Sequence, residues 1–187
     1  RGILAANYIL AVGSAYPHKN LEALLNAFLA LKRDNTRLVI VGRKDYFMRR
    51  LECNISKSDF DRIEFIGDVS DEELANLYKG ARAVCMVSCE EGFGLPGVEA
   101  MRYGTPVIAG DRSSLPEVYK KNAYYVNPYD VEDIARVLRE VIGRPHPNPL
   151  LKGEGSSFSL QEKAGMRLGD QWQKLAEATK AVYESVV

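Results

Sequence analysis

The chain has 187 residues, 46% of them hydrophobic, which is enough to bury one substantial core, so we expect one domain. Its 25 Lys and Arg residues balance its 25 Asp and Glu residues, which excludes a global field that would attract nucleic acid or acidic lipid. Three scattered cysteines fit neither a secreted disulfide framework nor a zinc site, and no apolar run reaches the roughly 20 residues that span a bilayer. The composition therefore predicts a cytoplasmic protein in which any phosphate binding is local.

Short apolar runs alternate with longer amphipathic segments, a pattern typical of strands joined by crossover helices in a parallel sheet. Strands are predicted over residues 8–13, 37–42, 62–67, 83–88, 106–110 and 123–127. Helices are predicted over residues 20–33, 70–81, 96–104 and 130–143. The fold class is therefore α/β. Several predicted strands end in Gly or Ser, so we expect the functional site at the carboxyl edge of the sheet.

Local capping signals support three of these helices. Asn20 is a candidate N-cap for the first helix. Ser70 is followed by Glu73 three residues later, which predicts a capping box. Asp130 is placed to cap the helix that begins after it.

The sequence after residue 143 departs from this alternation. Residues 144–160 contain three prolines within five residues and then Gly and Ser without periodicity, which predicts an insertion or a mobile loop. Residues 161–187 return to helical spacing around Trp172 and Leu175, which predicts a terminal helix packed on the domain.

The stretch CEEGFGLPGVEA at residues 89–100 contains a glycine-rich motif. Its glycines fit the dinucleotide-binding pattern G-x-G-x-x-G at Gly92, Gly94 and Gly97. A strand precedes them and a helix follows, as that pattern requires. However, the following acid, Asp111, comes sooner than the usual ~20-residue interval, Pro96 replaces an expected free amide, and the unit is the fourth along the chain. Dinucleotide binding is therefore the less favoured interpretation.

Two glutamates bracket these glycines. Pro96 suits the first turn of a helix, so the amides before it form an anion-attracting helix N-terminus. Glu99, one turn into that helix, would repel a phosphate and is better suited to hydroxyls such as those of ribose, and Glu91 could bind another polyol. Phosphates between two hydroxyl-rich groups describe a nucleotide sugar. Alternatively, Glu91 is a solvated loop residue and Glu99 an acid favoured by the helix dipole.

Residues 90–118, EEGFGLPGVEAMRYGTPVIAGDRSSLPEV, resemble the signature of retaining glycosyltransferases of the GT-B fold. Residues 12–28, 37–42 and 62–81 resemble other segments of that family, and the resemblance extends from about Tyr8 to Gly143. It implies a Rossmann-like parallel sheet flanked by helices, the C-terminal, donor-binding half of the GT-B fold. Since the chain also opens on Arg1 rather than Met, we expect a piece of a longer protein whose N-terminal acceptor domain lies outside this sequence.

The resemblance assigns roles to residues around the glycine-rich loop. It implies that Glu91 contacts the donor sugar and Glu99 the ribose hydroxyls. It also implies that the backbone around Phe93, Gly94 and Leu95 faces the diphosphate.

It further assigns residues that follow the first and third strands. Lys19 matches the phosphate-binding lysine of the family, and Gly13 and Ser14 lie in the donor-binding loop before it. Val69 matches a position whose backbone contacts the base. Ser14 stands where many members have an arginine, so Lys19, or Arg43, would have to neutralise more of the diphosphate charge.

The chemistry implied is transfer of a hexose with retention at the anomeric carbon, with Lys19 and Glu91 as the catalytic residues. The resemblance implies no cofactor and no metal, because the lysine and a helix N-terminus would stabilise the departing diphosphate. Residues 12–20 resemble mannosyltransferase versions of the motif, which favours GDP-mannose. For a full-length enzyme we also expect association with the inner membrane surface. The alternatives are a nucleotide-binding module without turnover and a dinucleotide-dependent oxidoreductase domain.

Overall fold

The structure, a computed structural model, describes residues 7–32 and 35–147. Within them, a parallel sheet has the strand order β3-β2-β1-β4-β5-β6. Its strands are β1 (Tyr8–Val12), β2 (Arg37–Val41), β3 (Ile63–Ile66), β4 (Ala83–Met86), β5 (Val107–Gly110) and β6 (Ala123–Val126). Each lies within a predicted range, so the predicted α/β class and the Rossmann-like parallel sheet are confirmed.

Helices connect the strands. They are α1 (Leu21–Leu29), α2 (Tyr46–Cys53), α3 (Asp71–Gly80), α4 (Leu95–Arg102), α5 (Leu115–Tyr119) and α6 (Val131–Gly143). Short 3-10 turns occur at Pro17–Lys19 and Lys120–Asn122. The sequence predicted α1, α3, α4 and α6 but not α2 or α5. No helix of the described ranges is long and apolar enough to cross a membrane.

The central strands are buried on both faces. Ile9, Leu10 and Ala11 are consecutive residues of β1, and all are fully buried, which requires cover on each side of the sheet. The strand order reverses between β1 and β4. Right-handed crossovers then place α1 and α4 on opposite faces, and the observed packing of α1 with α6 and of α3 with α4 agrees. The reversal leaves a crevice at the carboxyl ends of β1 and β4, where ligands bind in folds of this class.

All three predicted N-cap residues are confirmed, and Ser70 and Asp130 cap their helices through their side chains. The Ser70 hydroxyl accepts from the Glu73 amide at 3.3 Å, while the Glu73 carboxylate accepts from the Ser70 amide at 2.8 Å, completing the capping box. The Asp130 carboxylate accepts from the amides of Glu132 and Asp133 at 3.0 and 3.1 Å. These caps formed as predicted because they depend only on neighbouring residues.

Asn20 is the N-cap residue of α1 as predicted, but it caps the helix through its backbone only. Asn20 lies at the N-cap position of α1 with φ 58°, but its side chain makes no capping hydrogen bond. The amide instead donates to the carbonyls of Val87 at 3.2 Å and Pro128 at 2.6 Å. Asn20 therefore ties the loops after β4 and β6 to the start of α1.

After α6, residues 144–147 form neither helix nor strand. The remainder of the predicted loop at 144–160, and the predicted helix at 161–187, lie outside the described residues.

Candidate functional site

An ion pair lies at the carboxyl edge of the sheet, between the loops that follow β1 and β4. The Lys19 ammonium donates to both carboxylate oxygens of Glu91, at 2.7 and 2.8 Å. The side chain of Glu91 is 7% exposed and that of Lys19 26%. The two loops are also joined by their backbones, because the Cys89 amide donates to the His18 carbonyl at 2.8 Å. Two residues predicted separately for phosphate and sugar are thus in direct contact.

A cleft of about 450 Å³ opens beside this pair. It is lined by His18, Lys19, Glu90, Glu91, Gly92 and Ser113. These residues come from the loops after β1, β4 and β5, so the cleft lies at the point where the strand order reverses. Its volume is within the range of ~300–1,000 Å³ that is usual for small-molecule sites.

Three serines hold Glu91. The Ser88 hydroxyl donates to Glu91 Oε1 at 2.8 Å. The Ser113 hydroxyl accepts from the Glu91 amide at 3.2 Å and donates to the Glu91 carbonyl at 2.8 Å. The Ser114 hydroxyl donates to the same carbonyl at 2.8 Å. Both the backbone and the side chain of Glu91 are therefore fixed by hydrogen bonds.

Gly94 forms the entry to α4 as its N-cap, with φ 78°. Its carbonyl accepts from the Tyr119 hydroxyl at 2.5 Å. A Cβ atom at either Gly94 or Gly97 would lie 2.3 Å from that hydroxyl. The close approach of Tyr119 therefore accounts for two of the three glycines in the motif without a dinucleotide.

Glu99 lies one turn into α4, as expected, and its side chain is held from another helix. The Tyr78 hydroxyl of α3 donates to Glu99 Oε2 at 2.8 Å, and Tyr78 is 2% exposed. Burial raises the pKa of Tyr78, and the hydrogen bond to Glu99 raises it further. Tyr78 is therefore a neutral donor at any physiological pH. Glu99 itself is half-buried and is not among the residues that line the cleft.

The remaining predicted residues lie along the same edge. The Gly13 amide donates to the Val41 carbonyl at 2.9 Å, and a Cβ atom at Gly42 would lie 2.1 Å from the Gly13 carbonyl, so the ends of β1 and β2 are in close contact. Ser14 follows Gly13 and is half-buried. Val69 is half-buried and directly precedes the N-cap of α3, beyond β2 as seen from β1.

Three further predicted residues differ in exposure: Phe93 and Leu95, which flank the start of α4, and Arg43, the second cation predicted to neutralise the diphosphate. Leu95 is 58% exposed at the start of α4, and Phe93 is half-buried. Arg43 is exposed directly after the end of β2. The roles predicted for these residues toward a donor stay predictions.

Sequence reasoning missed the residues that support the glutamates. Ser88, Ser113 and Ser114 follow β4 and β5, so the rule that parallel strands share a carboxyl edge could have placed them near Glu91. No sequence signal pointed to Tyr78 or Tyr119, because a tyrosine on the apolar face of a helix is expected to be an ordinary core residue. Among the residues that the structure describes, no group of three or more His, Cys, Asp or Glu side chains could hold a metal ion. Metal independence stays a prediction.

The strand order defines a Rossmann-like α/β domain. The cleft beside the Lys19–Glu91 ion pair lies where the strand order reverses, which is where ligands bind in such domains. Residues 4–150 match the family of glycosyl transferases group 1, and the chain belongs to this family.

Two relatives are mannosyltransferases. The MMP alpha-(1->4)-mannosyltransferase of Mycolicibacterium hassiacum is 34% identical over 188 residues, covering 97% of this chain and 44% of the relative. The O-antigen chain mannosyltransferase RfbU of Salmonella typhimurium is 35% identical over 135 residues, covering 72% and 38%. The chain thus spans less than half the length of these relatives.

Solved structures share the fold of this chain, and one of them is a member of the same family. Sucrose-phosphate synthase of Thermosynechococcus elongatus matches with a TM-score of 0.68 and 29% identity, over 78% of this chain and 39% of that one. The C-terminal domain of a glycosyl transferase group 1 family protein of Francisella tularensis matches with a TM-score of 0.67 and 26% identity, over 78% and 80%.

Proposed function

We propose that this chain is the donor-binding domain of a retaining glycosyltransferase, and that its donor is GDP-mannose. The observation that carries the proposal is the contact between Lys19 and Glu91 in the cleft where the strand order reverses. A cation for phosphate and a carboxylate for hydroxyls then lie side by side, as a sugar joined to a diphosphate requires. The mannosyltransferase relatives support the choice of mannose.

Lys19 and the N-terminus of α4 would hold the diphosphate. As the bond between the anomeric carbon and the diphosphate breaks, negative charge grows on the departing phosphate oxygen. A cation and backbone amides fixed around that oxygen stabilise this charge without reorganising. The proposal therefore requires no metal and no cofactor.

The two glutamates would bind the two polyols of the donor. Glu91 would accept from sugar hydroxyls and orient the anomeric carbon, and Glu99 would accept from the ribose hydroxyls. The backbone at Val69 would contact the base. The acceptor would bind mainly to an N-terminal domain outside this sequence.

The proposal includes a cytoplasmic location, with the full-length enzyme associated with the inner membrane surface. Cys53, Cys85 and Cys89 all lie in the described ranges, and all are free thiols. Free thiols are typical of reducing compartments.

A nucleotide-binding module without turnover is the second candidate, and Ser14 is the observation that favours it. Ser14 stands at the end of β1, where many members of the family carry an arginine, so the diphosphate would meet one fixed positive charge fewer. Under this alternative the chain binds nucleotide, and a longer chain that includes an acceptor domain still transfers no sugar. The dinucleotide alternative has lost its main support, because packing against Tyr119 explains Gly94 and Gly97.

Calorimetric titration tests the proposal. The chain should bind GDP and GDP-mannose, and should bind NAD and FAD much more weakly, with UDP and UDP-glucose titrated in parallel to test the base. Lys19→Met should weaken GDP binding by about tenfold or more, the usual effect of losing a charge-assisted contact of ~1.5–3 kcal/mol. Lys57→Met is the control, because Lys57 is exposed in the loop that enters β3 at the opposite edge of the sheet. Binding of NAD without binding of any nucleoside diphosphate would overturn the proposal.

A further inference from the structure

Residues 113–119, which include α5, touch the loop after β4 at two separate points. At one end, the hydroxyls of Ser113 and Ser114 bond to the backbone of Glu91. At the other, the hydroxyl of Tyr119 bonds to the carbonyl of Gly94. One short segment thus fixes both the residue proposed to bind the sugar and the backbone proposed to face the diphosphate.

The bonds at Glu91 use every polar group of its backbone. The Ser113 hydroxyl has one proton, which it donates to the Glu91 carbonyl, and its oxygen accepts from the Glu91 amide. Ser114 supplies the second donor to that carbonyl, so both lone pairs are used. Although Glu91 lies in a loop, its backbone groups are therefore fully hydrogen-bonded within the protein.

Ser113 adopts a backbone conformation that is strained for a serine. Its φ is 56°, in the left-handed region that favours glycine. It also lines the cleft beside Glu91. Glycine would occupy this position with less strain, but it would lack the hydroxyl that bonds to the Glu91 backbone.

The hydrogen bonds of the Gly94 carbonyl set the direction of the next amide. Besides the Tyr119 hydroxyl, this carbonyl accepts from the Gly97 amide at 3.1 Å. In a planar trans peptide the carbonyl and the amide proton point to opposite sides. Since the Gly94 carbonyl points to the buried Tyr119 hydroxyl, the Leu95 amide points away from the protein interior. Burial raises the pKa of Tyr119, and the nearby charge of Glu91 raises it further, so its hydroxyl remains a donor.

We propose that Ser113, Ser114 and Tyr119 are positioning residues that hold the sugar-binding carboxylate and the phosphate-facing amides in place before a donor binds. The inference rests on the proposed donor-binding function. Groups held in advance by their own hydrogen bonds lose no freedom on binding, and this raises affinity and catalytic precision. Ser113 and Ser114 act on the sugar side, and Tyr119 acts on the diphosphate side.

Ser113→Gly separates this role from folding. Glycine relieves the left-handed backbone but also deletes two hydrogen bonds to the Glu91 backbone. Because these two effects on stability oppose each other, the melting temperature should stay close to that of the wild-type protein. Its affinity for GDP should stay within about twofold, while the ratio of GDP-mannose to GDP affinity should fall about tenfold, the effect of losing hydrogen bonds that orient one partner. Ser114→Ala should lower the ratio less, because one bond to the carbonyl remains. Ser56→Ala, which removes an exposed hydroxyl bonded to Asp59 at 2.7 Å, should keep the wild-type ratio.

Tyr119→Phe tests the other end. It should weaken GDP and GDP-mannose equally, by about threefold, because the Gly94 carbonyl then keeps only its bonds from the Gly97 and Val98 amides, at 3.1 and 3.5 Å, and is less firmly oriented. Tyr8→Phe is the matched control, since Tyr8 is also buried and donates to the Leu77 carbonyl at 2.7 Å. It should lower the melting temperature without changing GDP binding.

The outcomes distinguish the two proposals. If the wild-type chain binds none of GDP, GDP-mannose, UDP and UDP-glucose, the donor-binding function fails and this inference fails with it. If the wild-type chain binds them, and Ser113→Gly and Tyr119→Phe bind both ligands as the wild type does, only the positioning role is overturned.

Discussion

Glu91 and Glu99 lie on either side of one loop, but different partners hold them. Glu91 accepts two bonds from Lys19 and one from Ser88, and its side chain is nearly buried. Glu99 is half-buried and accepts from Tyr78. Removing Glu91 therefore frees a cation beside the cleft, whereas removing Glu99 frees only a neutral hydroxyl.

This difference predicts that alanine at Glu99 and alanine at Glu91 change different properties of donor binding. Glu99→Ala should weaken binding of GDP by about 1.5–3 kcal/mol, the range for hydrogen bonds to a charged group. Glu91→Ala should not weaken GDP binding, because it leaves Lys19 free to bind the diphosphate, and it should remove the preference for GDP-mannose over GDP. Calorimetry on both variants with both ligands measures this. Equal losses for the two ligands in both variants would mean that the glutamates only maintain the shape of the loop.

Tyr78 is predicted to support nucleotide binding through Glu99. Tyr78→Phe removes the bond that orients the Glu99 carboxylate, so GDP affinity should fall by about 1 kcal/mol, less than on removal of the carboxylate itself. Tyr8→Phe removes a similar buried hydroxyl whose partner is the Leu77 carbonyl. Both variants should lose stability, and titration with GDP should reveal a loss of affinity in Tyr78→Phe alone. A loss of the same size in Tyr8→Phe would assign the effect to general loosening of α3.

At the scale of elements, the N-terminus of α6 predicts an acid-sensitive contact. The Asp133 carboxylate accepts from the Asn127 amide at 2.8 Å and from Arg136, and these bonds lower its pKa below the ordinary value of 3.8. A lowered pKa in the folded state stabilises the fold above the unfolded value, and this contribution is lost as the pH falls from about 3.8 through the lowered pKa.

Melting curves between pH 7 and pH 3 measure this contribution. The melting temperature of the wild type should fall more steeply below pH 4 than that of Asp133→Asn, whose side chain does not titrate. Glu132→Gln removes an exposed carboxylate from the same turn and should keep the wild-type slope. Parallel curves for Asp133→Asn and the wild type would show that the bond to Asn127 adds nothing to stability.

The elements that the sequence predicted are those whose signal is local and strong. The strands were visible because a sheet covered on both faces requires continuous apolar runs. The helix α2 was missed because only Met48 and Leu51 are buried along it, which is too few for a clear periodic stripe. The helix α5 was missed because it has five residues. Asn20 has the composition of a cap, but two carbonyls from distant loops bind its amide instead.

The candidate site followed the same division. The family resemblance predicted Lys19 and Glu91 as donor-binding residues, but they are 72 residues apart, and no local pattern predicts their contact. The supports at Ser113, Ser114 and Tyr119 depend on how the loop after β5 packs against the loop after β4. Such contacts depend on tertiary packing, so no local stretch of sequence predicts them.

At the scale of the whole molecule, the proposed donor contacts and their support come from one edge of one sheet. The loops after β1, β3 and β4 supply Lys19, Val69 and Glu91, and the loop after β5 supplies the positioning residue Ser113. The cleft at this edge is open to solvent, so this domain by itself surrounds only part of a bound sugar. Transfer also requires that water be excluded from the anomeric carbon, because water would otherwise compete with the acceptor.

We therefore predict that the 187-residue chain alone binds nucleotide sugar but transfers no sugar. The chain covers 44% and 38% of its two mannosyltransferase relatives, so more than half of each relative has no counterpart in it. The acceptor and the closing half of the cleft should come from that additional part. The test is to incubate the chain with GDP-mannose and a panel of mannoside and lipid acceptors, and to follow release of GDP and of free mannose. GDP-mannose should bind with a measurable Kd while GDP release stays at the uncatalysed rate, and a longer chain with an N-terminal domain should release GDP only when acceptor is present. Efficient transfer by the 187 residues alone would show that they contain a complete active site and that the proposed division between donor and acceptor domains is wrong.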